Sequence, residues 1–149
     1  MLKKEELERK VKKVENLFEK YKKEIEEDLT LTELNIKDKS LNRAKIAIKW
    51  NERYVKFLKL EEELNVVLND IYMEYYYKYR FGDVDEEYTG RDLERKIKSE
   101  PEYMKFEKYR ILVSSIKDFL KNNLKLIEQQ VFDIKNYIEY LKLENLNII

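Results

Sequence analysis

Leu7, Val11, Val14, Phe18, Tyr21 and Ile25 alternate four and three apart, with Lys and Glu between them. This narrow heptad stripe predicts a helix over residues 1–27. A helix of that length is marginal alone in water. It serves either as an oligomerisation or docking helix or as an amphipathic helix packed on its own domain. Residues 28–40 break the pattern, because Leu29 and Leu31 alternate with Thr30 and Thr32, and Leu34 and Ile36 with polar neighbours. Period two with β-branched residues predicts an extended connector, with Asp38 or Ser40 as the N-cap of the next helix.

The helical period returns at residues 41–81. Ile46, Trp50, Phe57, Leu60, Leu64, Val67 and Ile71 recur at threes and fours, with Arg53 filling the one gap. No glycine or proline interrupts the run before Gly82, so it predicts one long helix. Residues 82–101 are punctuated by Gly82 and Gly90, acidic at Asp83, Asp85, Glu86 and Glu87, then basic at Arg91, Arg95, Lys96 and Lys98. They predict a charged surface loop with a short helix over 91–98. Residues 102–143 predict a second long helix, or two joined, from Phe106, Tyr109, Val113, Ile116, Leu120, Leu124, Ile127, Val131, Ile134, Ile138 and Leu141. Successive fours at Ile116, Leu120 and Leu124 read as a stutter, and Pro101 suits a first turn. The apolar tail, Ile148 and Ile149, points to packing against a neighbour. The fold class is all-α: a single helical domain of long amphipathic helices in a bundle or coiled-coil-like arrangement, in which the long helix needs partner helices from its own chain or from copies of itself.

Composition narrows the chemistry. Hydrophobic residues are 43% and charged ones 42% of the 149, with only 2 Gly and 1 Pro, which suits long exposed helices and not a sandwich or barrel. Lys+Arg and Asp+Glu are 31 each, so any anion-binding surface must come from how charge is arranged. The chain has no His and no Cys. That removes disulfides, Cys/His zinc sites, thiol nucleophiles and histidine acid–base chemistry. Carboxylate-only metal sites remain open, but no helical Glu-x-x-His and no Asp-x-Asp-x-Asp-Gly loop occurs. No enzyme activity and no cofactor are expected. MLKKEELERK carries no apolar run and no window approaches a membrane span, so neither signal peptide nor membrane anchor is expected and the expected location is cytoplasmic.

Two features carry candidate binding chemistry. Lys45, Lys49, Arg53, Lys56 and Lys59 lie roughly three and four apart along the long helix, either a solvated face or a basic strip. At the end of that helix come Tyr72, Tyr75, Tyr76, Tyr77, Tyr79 and Phe81, interleaved with Lys78 and Arg80. Aromatics at helical spacing serve a core or an interface. Three consecutive tyrosines, however, point around the whole helix and cannot all face one core. Exposed rings beside cations suit a sequence-tolerant single-strand binder, with rings to stack bases and cations to hold phosphates.

Several motifs together resemble the UvsY-type recombination mediators of T-even-like phages. DLTLTELNIKDKS followed by RAKIAIKW is similar to the family's Asp-x-x-Ile-Asp connector, small residue and Lys-Trp/Lys-Tyr pair, here Lys49 and Trp50. Glu74, Tyr75 and Tyr76 before Gly82 and Asp83 resemble its acidic-Tyr-Tyr and Gly-Asp segment. RDLERKIKSEPEYMK, and Phe132, Ile134, Lys135 and Ile138, resemble two further pieces in the same order. The resemblance covers about Asp28 to Leu143. It implies an all-helical, non-catalytic protein that binds single-stranded DNA and helps load a RecA-like recombinase in place of a single-strand DNA-binding protein, with roles in DNA recombination, repair and replication. It also implies a homo-oligomeric ring of about six or seven subunits in the bacterial host cytoplasm of a phage. The expected DNA contacts are Lys49, Arg53, Lys56, Tyr75, Tyr76, Lys78, Tyr79, Arg80, Arg91 and Arg95. The chain departs from the family where basic residues precede the acidic-Tyr-Tyr segment, holding Asp70 and Tyr72 there, and it has Gln130 where members place a basic residue. The alternative is a non-catalytic oligomeric coiled-coil adaptor that binds only protein, for which heptads and zero net charge suffice.

Overall fold

The structure, a computed structural model, describes residues 4–82, 88 and 90–148. The acidic run Asp83, Asp85, Glu86 and Glu87, whose first member is the Asp of the Gly-Asp pair, lies outside the described residues, as do Ile149 and the side chain of Ile148. The described residues are all-α: α1 Lys4–Leu29, α2 Ile36–Phe81, α3 Gly90–Lys98 and α4 Pro101–Ile148. They group into two compact units. The first is built from α1, α2 up to Val55 and α4 from Asp118; the second from α2 after Val55, α3 and α4 up to Lys117.

The connector is shorter than its alternation predicts, and its cause is a capping box. Thr32 Oγ1 accepts from the Asn35 backbone N–H at 3.2 Å, and Asn35 Oδ1 accepts from the Thr32 N–H at 2.8 Å. The Thr32 carbonyl already accepts from Ile36 N at 3.0 Å. Thr32 is therefore the N-cap in place of Asp38 or Ser40, and α2 is under way before Leu41. Leu34, read as one beat of a period-two strand, stands 96% exposed in that first turn. The Lys39 ammonium donates to the Glu27 carbonyl, closing the end of α1.

In the first unit α1 buries Leu7, Val14, Tyr21 and Ile25. Ile36 and Trp50 of α2 are buried beside them in the core, and α4 supplies Leu120, Ile127 and Ile134. Phe18 meets Phe119 edge-on at 5.2 Å, and Tyr21 meets Trp50 at 5.9 Å. In the second unit Phe57, Leu64, Leu68 and Ile71 of α2 share a core with Leu93 and Ile97 of α3 and with Phe106, Tyr109, Val113 and Ile116 of α4. Lys117 pairs with Glu61 there at 3.0 Å.

α4 is one continuous helix with no stutter. Its buried positions are Phe106, Tyr109, Val113, Ile116, Leu120, Asn123, Ile127, Gln130 and Ile134, an unbroken three-four alternation. Asn123 and Gln130 occupy the seam where an apolar reading picks Leu124 and Val131. The Gln130 amide donates to the Asp28 carbonyl at 2.7 Å. Gln130 Oε1 and Asn123 Nδ2 are buried with no partner among the described residues. Two devices start the short α3 and then α4. Gly90 opens α3 at φ +50°, a left-handed conformation that favours glycine. Glu100 caps α4, its carbonyl accepting from Met104 N at 3.0 Å, and Pro101 takes the first helical position.

Candidate nucleic-acid interface

The aromatic segment of α2 lies in the second unit and divides into two faces. Buried Leu64, Leu68 and Ile71 continue in helical phase to Tyr75 and Tyr79, so those two rings turn inward. They stack on each other at 6.1 Å with 19° between planes. The Tyr75 hydroxyl donates to Glu102 Oε2 at 3.1 Å, and the Tyr79 hydroxyl donates to the Glu100 carboxylate. Tyr88 packs edge-on against Tyr79 at 5.5 Å, and Lys96 Nζ lies 5.7 Å from the same ring. Burial and the Glu100 carboxylate push the Tyr79 hydroxyl up to about 12. Burial, with the hydrogen bond to Glu102, raises Tyr75 as well. Two of the three expected stacking rings are thus held by α4 and its cap, and their hydroxyls are already committed.

The opposite face is open. Tyr77 is 57% and Phe81 73% exposed, one helical turn apart, with ring centroids 6.0 Å apart. Half-buried Tyr76 meets Tyr77 edge-on at 5.9 Å and Phe81 at 6.4 Å. Lys78 and Arg80 are exposed and carry no ion pair among the described residues. The Lys78 ammonium lies 5.8 and 5.6 Å from the Tyr75 and Tyr79 rings, which leaves it facing solvent over an aromatic support. At the end of the helix a Cβ on Gly82 would sit 2.2 Å from the Lys78 carbonyl oxygen, so the chain can leave α2 here only without a side chain.

Arg91 and Arg95 of α3 border an open groove of about 560 Å³ with Glu94, Lys98, Ser99 and Met104. Lys98 is neutralised by Glu94 at 2.7 Å, while Arg91 and Arg95 are exposed without an ion pair among the described residues. Lys56 is likewise exposed and unpaired among them.

Lys49 and Arg53 have a different occupation from the one their spacing predicts. In the first unit Asp28 Oδ2 accepts from Lys49 Nζ at 2.7 Å and from the Trp50 indole at 2.8 Å. Glu24 takes Arg53 at 2.6 Å and Lys49 at 3.7 Å. The Arg53 guanidinium lies 4.4 Å from the Tyr21 ring and 4.8 Å from the Trp50 ring. Burial works to raise the Glu24 carboxyl, but the Arg53 hydrogen bond and the charges of Arg53 and Lys49 outweigh it and hold Glu24 below the usual carboxylate value. Two carboxylates of α1 therefore neutralise both cations inside the unit, and a phosphate would have to displace them.

Sequence reasoning missed the open pair. Tyr77 and Phe81 are four apart and out of phase with Ile71, Tyr75 and Tyr79, so extending the core stripe past Ile71 identifies them. The roles of Glu100 and Glu102 left no such signal, because their partners lie 21 and 27 residues away.

No family model and no curated protein matches the sequence. The fold has solved counterparts in two crystal structures of the recombination mediator protein UvsY of bacteriophage T4. One superposes with a TM-score of 0.74 at 15% identity, covering 85% of this chain and 96% of that one. The other gives 0.70 at 18% identity, covering 83% and 97%. At such identity the likeness is one of fold: the chain has the fold of the T4 mediator along nearly the whole length of that protein.

Proposed function

We propose that the protein is a recombination mediator that binds single-stranded DNA and helps a RecA-like recombinase replace a single-strand DNA-binding protein. The observation that carries this reading is the fold shared with the T4 mediator over 96% of that chain. The open face of α2 supports it. Tyr77 and Phe81 offer rings for stacking bases, and Lys78 and Arg80 offer charge for phosphates on the same turn. Arg91 and Arg95 extend the cationic surface of the second unit, with Tyr76 backing the exposed rings. On this reading Lys49 and Arg53 hold α1 to α2, Tyr75 and Tyr79 hold α2 to α4, and none of the four is a DNA contact.

The protein acts as a homo-oligomer without catalytic chemistry. Many weak contacts along one strand then add, which reconciles binding with a subunit of zero net charge. The deciding measurement is fluorescence anisotropy of labelled oligo-dT at two salt concentrations, on protein whose mass is set by light scattering. Binding is expected to fall steeply with salt as counterions are released. Lys78→Ala with Arg80→Ala should weaken it alike for every sequence, with an unchanged helical spectrum. A folded wild type that fails to bind at low salt would move the protein to the adaptor class. Unchanged binding in the double variant would remove those two residues from the contact set.

A further inference from the structure

We infer that α1 carries a second nucleic-acid surface, a cationic ridge that holds the phosphate backbone of single and double strands alike. The core stripe of α1 is Leu7, Val14, Tyr21 and Ile25. Its solvent face has its own four-three alternation: Arg9, Lys13, Asn16, Lys20 and Lys23, all exposed, with exposed Lys12 alongside. No acid interrupts that stripe between Arg9 and Lys23, although α1 is rich in glutamate. Glu8, Glu15 and Glu19 fall on one flank and Glu24 turns toward Arg53. Arg9, Lys12, Lys13 and Lys23 carry no ion pair among the described residues, and Lys20 has only a loose, exposed contact with Glu24 at 3.7 Å. Arg9, Lys12, Lys13, Asn16 and Lys20 border a groove of about 440 Å³ with Leu17.

The chemistry of the ridge selects its partner. The cations run about 21 Å along the helix at the α-helical rise, a linear array suited to a linear polyanion. The ridge presents no large apolar side chain in the open, so it lacks the anchors a protein interface needs at its centre. Its apolar side is already buried in the first unit, so it cannot lie in a membrane surface. It also carries no aromatic ring, so it cannot stack bases. Phosphate is what remains, and phosphate is common to both strand types. The open rings of the second unit, by contrast, favour unpaired bases.

The test is a salt titration of the full chain against a labelled duplex and against labelled oligo-dT. The duplex is expected to bind at low salt. Arg9→Gln with Lys13→Gln and Lys20→Gln should cut the slope of log affinity against log salt by about 2.7 for duplex and about 2 for single strands. Arg9→Lys with Lys13→Arg and Lys20→Arg should leave both unchanged, and Tyr77→Ala with Phe81→Ala should weaken oligo-dT alone. A wild type that ignores duplex at low salt overturns the inference. So does a glutamine variant with an unaltered helical spectrum and an unaltered duplex slope, or displacement of duplex by polyglutamate at equal charge. Oligo-dT binding that Tyr77→Ala with Phe81→Ala leaves unchanged, beside a duplex slope that the glutamine variant does cut, would instead count against the open α2 face as the single-strand site and leave the ridge standing.

Discussion

Arg53 illustrates how far a residue's spacing determines its use. It occupies an apolar position in the α2 stripe, and the guanidinium is accommodated there because Tyr21 and Trp50 supply ring faces and Glu24 supplies the counter-charge. Replacing it by Gln takes the counter-charge away from the half-buried Glu24 carboxylate and should cost about 1–3 kcal/mol in urea unfolding. The pH dependence gives an independent check. Glu24 has a folded pKa below its ordinary value of 4.5, so over that window the unfolded chain binds more protons and stability rises with pH. The contribution is complete above the ordinary value and is lost as pH falls through the depressed one. Arg53→Gln should flatten that acid limb, and an acid limb identical to wild type would mean that Glu24 is not held by Arg53. The sequence exposed the position of Arg53 but not its partners, because periodicity assigns a residue to a face and says nothing of what lies across from it.

Among the elements, the long helices were legible wherever apolar side chains mark the seam, as at Trp50, Phe57, Leu64 and Ile71. They were misread wherever polar side chains do the same work. The stutter expected in α4 vanishes because Asn123 and Gln130 sit in register seven apart, and hydrophobicity is blind to both. The connector was misread for a related reason: the Thr32–Asn35 box starts α2 by hydrogen bonds, while Leu34 supplies a false beat. Polar seam residues fix register at a cost in stability, and Asn123 carries a buried donor without a partner among the described residues. Asn123→Leu should therefore stabilise the protein by about 1–3 kcal/mol, read as a higher urea midpoint at constant slope. A lower midpoint would mean that the amide has a partner worth more than the apolar side chain that replaces it.

At the scale of the whole molecule, a net charge of zero conceals separate cationic surfaces, each formed by helical phase and not by local excess. The same phase leaves an apolar surface uncovered. On the face of α2 away from Trp50, Leu41, Ile48 and Val55 stand exposed at intervals of seven, and exposed Leu34 lies seven residues before them in the turn that leads into the helix. That is the repeat of a helix seam, and an isolated chain has no reason to hold it in water. A second copy as its occupant is consistent with the homo-oligomer proposed above, in which one strand meets several subunits and their weak contacts add. Leu41→Glu with Ile48→Glu places charge in that seam without touching a buried residue, so the subunit should keep its helical spectrum. Its mass by light scattering should drop toward 18.4 kDa. Because avidity is lost with assembly, binding to a long oligo-dT should then fall by about 10²-fold or more, while binding to an oligonucleotide spanning a single subunit changes little. An oligomer of unchanged mass in the double variant would place the subunit contact elsewhere, and a monomeric wild type that binds long strands tightly would remove assembly from the mechanism altogether.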